Sequence, residues 1–448
     1  MKRSTVLFAA LLAVALLALT ACGSSKKSSS STTTTSSSGG SASGSTNVKG
    51  SVKIVGVWTG SEQQHFQAVL NGFKKKYPNV KVTYRSTGDN TPTVLSTAVQ
   101  GGNPPDLASV SQPGLVDDFQ KKGALKPMDF ARQTVLSNYP SDLEKLGEIK
   151  GHLYGLIIKG ANKSTVWYYV KTFNDAGVKP PTNWNDFLKV AKTLKAAGTP
   201  AYSIGGADGW TLTDLFENIY LRQAGPAKYD QLSKHQIKWT DPSVKTALKT
   251  MAQVIGDTSN IAGGTSGALQ TDFPTSVQNV FSTKPKAAMV IEGDFVPGVL
   301  SSNPLKPVSG YNVFPFPAIG SSGLSVTEGG GDELMMFRDT PAIRALVSYL
   351  ATGEAQSIWA KLGGYSAPAK TVPASAYPDE ITRKTAEGLS QAKTVRFDLS
   401  DLQPASFGAT VGQGEFKIFQ DFLRNPSNVN GVAQELETAA AKAYKAGK

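Results

Sequence analysis

From Ser51 onward the chain alternates between strand-like and helix-like runs, and this order constrains the fold more than any single residue. Ser51–Trp58 is β-branched and half alternating, as a partly buried strand requires. Thr59-Gly60-Ser61-Glu62 then turns the chain into a helix, with Phe66, Val69, Leu70 and Phe73 at helical spacing and Ser61 as its expected cap. Tyr77-Pro78-Asn79 stops that helix, and Val80–Tyr84 alternates as a second strand. A helix over Thr93–Gln100 ends at Gly101-Gly102, and Pro105–Val110 reads as a third strand. The β-α-β-α-β order predicts parallel strands with helices on the sheet faces.

The same alternation continues, with helices predicted over Asp186–Ala197, Leu212–Ala224, Val244–Gly256, Pro341–Ala351, Glu354–Leu362 and Val429–Ala446. There is no internal repeat and no obvious interdomain linker. About 400 residues after the leader suffice for two cores, so a two-domain chain without a linker is expected to cross between its domains more than once.

The leader is distinctive. Lys2 and Arg3 precede an apolar, uncharged run from Val6 to Leu19, and Leu19-Thr20-Ala21-Cys22-Gly23 closes it. A positive start, a short apolar stretch and small residues describe a secretory signal, and the run is short for about 30 Å of hydrocarbon. Its end resembles the lipobox of bacterial lipoproteins, in which the cysteine is acylated and becomes the first residue of the mature chain. Cys22 is the only cysteine, so no intramolecular disulfide and no cysteine-based metal site is available. Gly23–Gly50 is almost wholly Ser, Thr and Gly with a few lysines, a composition that cannot offset its ordering entropy. A flexible tether of that length spans roughly 30 Å between its ends. The expected location is therefore extracytoplasmic, with the protein lipid-anchored at Cys22 to the cell membrane on its periplasmic or cell-wall side.

The formal charge of +12 falls to +10 without Lys2 and Arg3, and to +7 when Lys26, Lys27 and Lys49 are also set aside. The basic residues are dispersed; the densest runs, Lys74-Lys75-Lys76 and Lys121-Lys122, fit solvated helix ends, so nucleic acid is not an expected partner. Catalytic signatures are missing. His65, His152 and His235 are isolated, and Gly264-Thr265-Ser266-Gly267 and Gly320-Ser321-Ser322-Gly323 lack the spacing of a nucleophile elbow. There is neither a Walker loop nor a dinucleotide fingerprint. The carboxylate pairs Glu292/Asp294 and Asp332/Glu333 are each expected in a Gly-rich turn. Two carboxylates roughly 5–10 Å apart could serve a glycosidase, but carboxylates beside aromatic residues equally suit sugar binding.

Several ordered segments resemble the family 1 extracellular solute-binding proteins of ABC importers. They are Trp58-Thr59-Gly60-Ser61-Glu62, Gln100-Gly101-Gly102-Asn103-Pro104-Pro105-Asp106, Gly123-Ala124-Leu125-Lys126-Pro127-Met128-Asp129, Tyr154-Gly155-Leu156, Phe173–Val178 with Pro180–Trp184, and Ala287-Ala288-Met289 before Glu292-Gly293-Asp294-Phe295. The similarity covers nearly all of the chain after Gly50 and looks nearest to oligosaccharide binders of the α-glucoside type. It implies an α/β, two-lobed, type II periplasmic-binding-protein-like fold with a hinge and a ligand cleft. The first lobe is mapped to residues 51–160 plus 332–365, and the second to 161–331 plus 366–448.

The resemblance implies no reaction, no cofactor and no metal. It implies a carbohydrate ligand, ABC permease subunits as partners, and a monomer. Candidate ligand-binding residues carried over by position are Ser61, Glu62, Gln112, Trp210, Asp294, Phe295, Gly330 and Asp332. Trp210 lies between Gly209 and Thr211, which favours a loop over a core position. Phe295 stands where family members often carry Trp. Trp167 and Tyr168 are expected in a buried strand, and Asp106 at a strand turn. The alternatives are a binder of another solute (anion, iron or polyamine) or a secreted glycoside hydrolase. Tyr168-Tyr169 is the only iron-like pair, but adjacent strand residues point to opposite faces.

Overall fold

The computed structural model describes residues 47–320 and 326–446; the leader, Cys22 and most of the tether lie outside the described residues. β1 (Gly50–Gly56) pairs in parallel with β2 (Val80–Ser86) on one side and β3 (Leu107–Val110) on the other. The β-α-β-α-β reading therefore holds, including the direction of the strands. The first helix runs Gly60–Lys76 and buries Phe66, Val69, Leu70 and Phe73. Its cap is Thr59, and Ser61 sits inside its first turn; Gly60, at φ +51°, moves the start ahead of Ser61.

A short hairpin, β4 (Glu148–Ile149) with β5 (His152–Leu153), precedes β6 (Gly155–Asn162). β11 (Val326–Met336) completes the first sheet, antiparallel to β3 and β6 and parallel to β12 (Thr394–Phe397). β6 and β11 are buried along their whole length. The second sheet has the order β10-β7-β9-β8, built from β7 (Thr165–Tyr169), β8 (Tyr202–Ser203), β9 (Met289–Ile291) and β10 (Tyr311–Pro315).

Asp332 and Glu333 lie inside β11, contrary to the expected turn, with a register shift between them. Gly329-Gly330-Gly331 reads as a turn because glycine is permissive, but here it allows close strand approach. A Cβ on Gly331 would come within 2.6 Å of the Lys159 carbonyl oxygen, and one on Gly330 within 2.8 Å of Lys163 Cε.

Only Lys163 and Ser164 separate β6 in the first sheet from β7 in the second, and the chain returns to the first sheet after β10. Hydrogen bonds fix this crossing. Lys163 N donates to Glu328 O (3.0 Å), Ser164 Oγ accepts from Glu328 N (2.8 Å), and Gly160 N donates to Ser366 O (2.8 Å). One apolar core gathers β1, the helix Gly60–Lys76 and the helices Pro341–Leu350 and Gly353–Ala360. Another gathers β7, the helix Trp210–Ser233, the helix Pro242–Ile255 and the C-terminal helices Gly414–Arg424 and Val429–Ala446. The helix Trp210–Ser233 is broken at Gly225 (φ 80°, ψ 165°) ahead of Pro226, which is where the sequence stops its predicted helix. Among the described residues, no helix is long and apolar enough to cross a membrane.

Candidate functional site

Ligand sites in open α/β sheets form outside the carboxyl ends of the parallel strands, and a cavity of about 280 Å³ lies there. Segments following β1, β2 and β3 supply Trp58, Glu62, Asp89, Ser111 and Gln112; the other wall carries Asp208, Trp210, Asp272, Phe273 and Phe295. Lys159, Lys163, Asp332, Asp398 and Asp401 line it at the crossing between the sheets.

Two buried lysines organise the charge. Lys159 Nζ donates to Glu62 Oε1 at 2.7 Å and lies 3.4 Å from Asp332 Oδ2. Asp332 also accepts from Trp58 Nε1 (2.7 Å) and Ser111 Oγ (2.6 Å), so a single carboxylate fixes three neighbouring segments. Lys163 Nζ reaches Asp214 Oδ1 at 3.0 Å and pairs with Asp398. Burial alone would lower both ammonium groups, but the carboxylates outweigh it: Glu62 and Asp332 hold Lys159 above its ordinary range, and Asp214 and Asp398 hold Lys163 well above it.

The second wall is aromatic. Trp210, the first residue of its helix, sits 5.4 Å from Phe273 and 5.9 Å from Phe295 between ring centroids, and Phe273 and Phe295 meet edge to face at 5.1 Å. Lys159 lies 5.4 Å from the Phe295 centroid and Lys163 5.6 Å from that of Trp210. Gly209, at φ +87°, sets up the helix start because a Cβ there would come within 2.5 Å of Phe416 Cβ.

Acidic groups rim this wall. Asp208 accepts from Phe273 N at 2.6 Å. Burial, then the neighbouring charges of Asp89 and Asp272, push its carboxyl up to about 7 despite that bond. Depth in the cleft pushes Asp89 up to about 6, opposed by a hydrogen bond with Trp210 and assisted by Glu62 and Asp272. Solvent reaches the Asp89 side chain and screens its neighbours, so the half-buried Asp208 is the firmer case.

Of the residues expected at the site, Glu62, Gln112, Trp210, Phe295 and Asp332 line this cavity. Ser61, Asp294 and Gly330 do not. Ser61 lies in the first turn of the helix Gly60–Lys76. Asp294 is 2 % exposed and accepts from Ser366 Oγ while its N–H donates to Asn162 O, so it braces the crossing from behind. Gly330 makes room for the Lys163 stem. Trp210 opens a helix, where a loop was expected. Trp167 and Tyr168 are buried in β7, and Asp106 accepts from Lys53 N at the entry to β3, both as expected.

Lys159 and Lys163 were missed although a signal existed: two lysines four residues apart in a stretch otherwise apolar enough to be a buried strand. Asp89, Asp208 and Asp272 sit in short connections of ordinary composition and Phe273 begins the helix Phe273–Val280, and none of them carried one.

The arrangement offers aromatic faces beside carboxylate acceptors in a shielded cleft, and no histidine lines it. The family model for bacterial extracellular solute-binding proteins matches residues 59–357. The osmoprotective compounds-binding protein GgtB of Synechocystis is 33% identical over 372 residues, covering 82% of this chain and 86% of its own length. The alpha-glucosides-binding periplasmic protein AglE of Rhizobium meliloti is 31% identical over 373 residues, covering 80% and 81%. Among solved structures, a chitin oligosaccharide binding protein superposes with a TM-score of 0.75 at 20% identity, over 89% of this chain and 99% of its own. The chain is thus a member of the bacterial extracellular solute-binding protein family, with the two-lobed type II fold.

Proposed function

We propose that the protein captures a short glycoside, one or two sugar rings of the α-glucoside type, and delivers it to the permease of an ABC importer without chemical change. The observation that carries this reading is the aromatic wall of Trp210, Phe273 and Phe295 facing carboxylates from the opposite side of one cavity. Sugar C–H faces pack on aromatic rings and sugar hydroxyls donate to carboxylates. A volume of about 280 Å³ is at the small end for ligand pockets and suits a short ligand. The relative named for α-glucosides supports the same class.

Seven carboxylates line the cavity against two lysines, each already paired, which disfavours an anionic solute. Tyr168 and Tyr169 lie outside it, which disfavours iron held by that pair. In this reading Glu62, Gln112, Trp210, Phe295 and Asp332 contact ligand, and the lobes are residues 51–160 with 332–365 and 161–331 with 366–448. The lobes close over the sugar because the closed state adds contacts. Acylation of Cys22 keeps the monomer beside its permease.

A thermal-shift screen over mono- to trisaccharides, amino acids, polyamines and anions, followed by titration calorimetry, tests the reading. Stabilisation by an α-glucoside that is recovered intact is expected. Stabilisation only by a non-sugar, or release of smaller sugars, overturns it.

A further inference from the structure

Behind the cavity, three carboxylates from distant parts of the chain converge: Asp214 on the helix Trp210–Ser233, Glu328 on β11 and Asp398 just after β12. One oxygen from each lies within 4.8 Å of the other two, and none of the three residues is more than 3 % exposed. Their hydrogen bonds are unequally shared. Asp398 accepts from Ser400 Oγ (2.8 Å) and Asp401 N (3.0 Å) and pairs with Lys163. Asp214 uses Oδ1 for Lys163, while its Oδ2 has no donor. Among the described residues, neither oxygen of the fully buried Glu328 accepts a hydrogen bond, and Lys163 forms its ion pairs with the other two carboxylates.

Two positive side chains serve this region. Lys163 is one; Arg222 is the other, and it donates to Asn218 and to the Val326 carbonyl. Glu217 is also buried beside them, but it is satisfied by Leu399 N, Ser400 N and Tyr229 Oη. A buried carboxylate with no donor on either oxygen is costly to ionise, so it keeps a proton unless a cation meets it. Lys163 pairs with two of the carboxylates and the charge of Arg222 is felt at Glu328, so the three carboxylates, when ionised, still outnumber the two cations by one, and oxygen-only donors favour a hard ion over a transition metal.

We propose that Asp214, Glu328 and Asp398 bind a hard divalent cation, of which Ca²⁺ is the fitting example. Such an ion ties the helix that begins at Trp210 to β11 and to the segment after β12, and so braces the wall of the cleft on which Lys163 and Asp398 lie. The sequence gives no sign of it, because the three ligands share no local spacing.

The test uses the full chain without sugar, so its result is separate from that of the glycoside reading. Chelator-treated protein dialysed against 1 mM CaCl₂ should retain about one calcium per chain by elemental analysis. CaCl₂ should also raise its unfolding midpoint by about 3 °C or more over NaCl of equal ionic strength. Terbium should bind at the same stoichiometry and be displaced by calcium. Glu328→Gln and, separately, Asp214→Asn should each lower calcium uptake at least tenfold in apparent affinity. Wild-type protein that retains no calcium overturns the proposal, as does undiminished uptake in the two variants.

Discussion

Lys159 and Lys163 each place an ammonium group where water is scarce, and the carboxylates around them make that placement tolerable. Their partners differ in consequence. Asp332 holds Trp58, Ser111 and Lys159 together, so Asp332→Ala removes an acceptor from two donors and a counter-charge from a third. Loss of one partner in a buried ion pair costs about 3 kcal/mol, and urea unfolding should report a midpoint lowered accordingly. Asp332→Asn keeps an acceptor for Trp58 and Ser111 and should lose less. Trp210→Ala acts on ligand instead. Removing about 100 Å² of apolar contact surface weakens sugar binding by about 2 kcal/mol, roughly thirtyfold in Kd. Calorimetry should show that loss while far-UV circular dichroism stays unchanged; an unaltered Kd removes Trp210 from the site. Trp210 and Glu62 were picked out by the positions they share with the family's cleft segments, the turn residues beside them being only consistent with that, and both line the cavity. Asp208 and Asp272 were not picked out, since an aspartate before a helix is equally a cap, and Asp272 does cap its helix through Thr275 N.

Elements were easier to read than their roles. The helix predicted to stop at Ala224 does stop there, because Gly225 takes a backbone conformation that only glycine adopts readily, and Pro226 starts the next segment. The glycines of β11 misled for the opposite reason: their composition is that of a turn, and only the neighbouring strands reveal that space is the constraint. Two glycine substitutions on one helix separate these effects. Gly225→Ala meets no atom within 4 Å and keeps only its backbone strain, about 1–3 kcal/mol. It lies some four turns from Trp210, so thermal stability should fall while sugar affinity is retained. Gly209→Ala combines a left-handed φ with a 2.5 Å approach to Phe416. It should lose stability and, by displacing Trp210, weaken sugar binding about tenfold or more. Equal affinity in the two variants would mean that the helix start does not position the aromatic wall.

The whole molecule is basic in sequence yet lines its cleft with acids, a contrast that no composition reveals because it depends on which side chains the crossing strands turn inward. The parallel strand order came directly from local periodicity; the cavity did not, since its lining runs from Val57 to Phe416. That inward acidity sets the pH dependence of stability. Burial and like-charge neighbours push Asp208 to about 7 and burial pushes Asp294 to about 6, and Glu217, Glu292, Glu328, Glu333, Asp401 and Glu415 are all held well above the usual carboxylate range. Each raised carboxyl keeps its proton in the folded chain after the unfolded chain has released it near pH 4. The folded state thus binds more protons between about pH 4 and 7, and stability falls as pH rises through that window. His65 opposes this, because burial lowers its pKa and favours unfolding as pH drops, but it is one group against many. Lys159 and Lys163, held above their ordinary range, keep their contribution until far more alkaline pH. The unfolding midpoint of chelator-treated protein should therefore be higher at pH 5.5 than at pH 8.0. A cation at Asp214, Glu328 and Asp398 takes the place of the protons that Asp214 and Glu328, both held above the usual carboxylate range, otherwise keep, so 1 mM CaCl₂ should raise the midpoint more at pH 8.0 than at pH 5.5 and flatten the profile. A profile that rises with pH would mean that the buried carboxyls are ionised and compensated, and that the interior of the cleft wall carries its negative charge unaided by proton or metal.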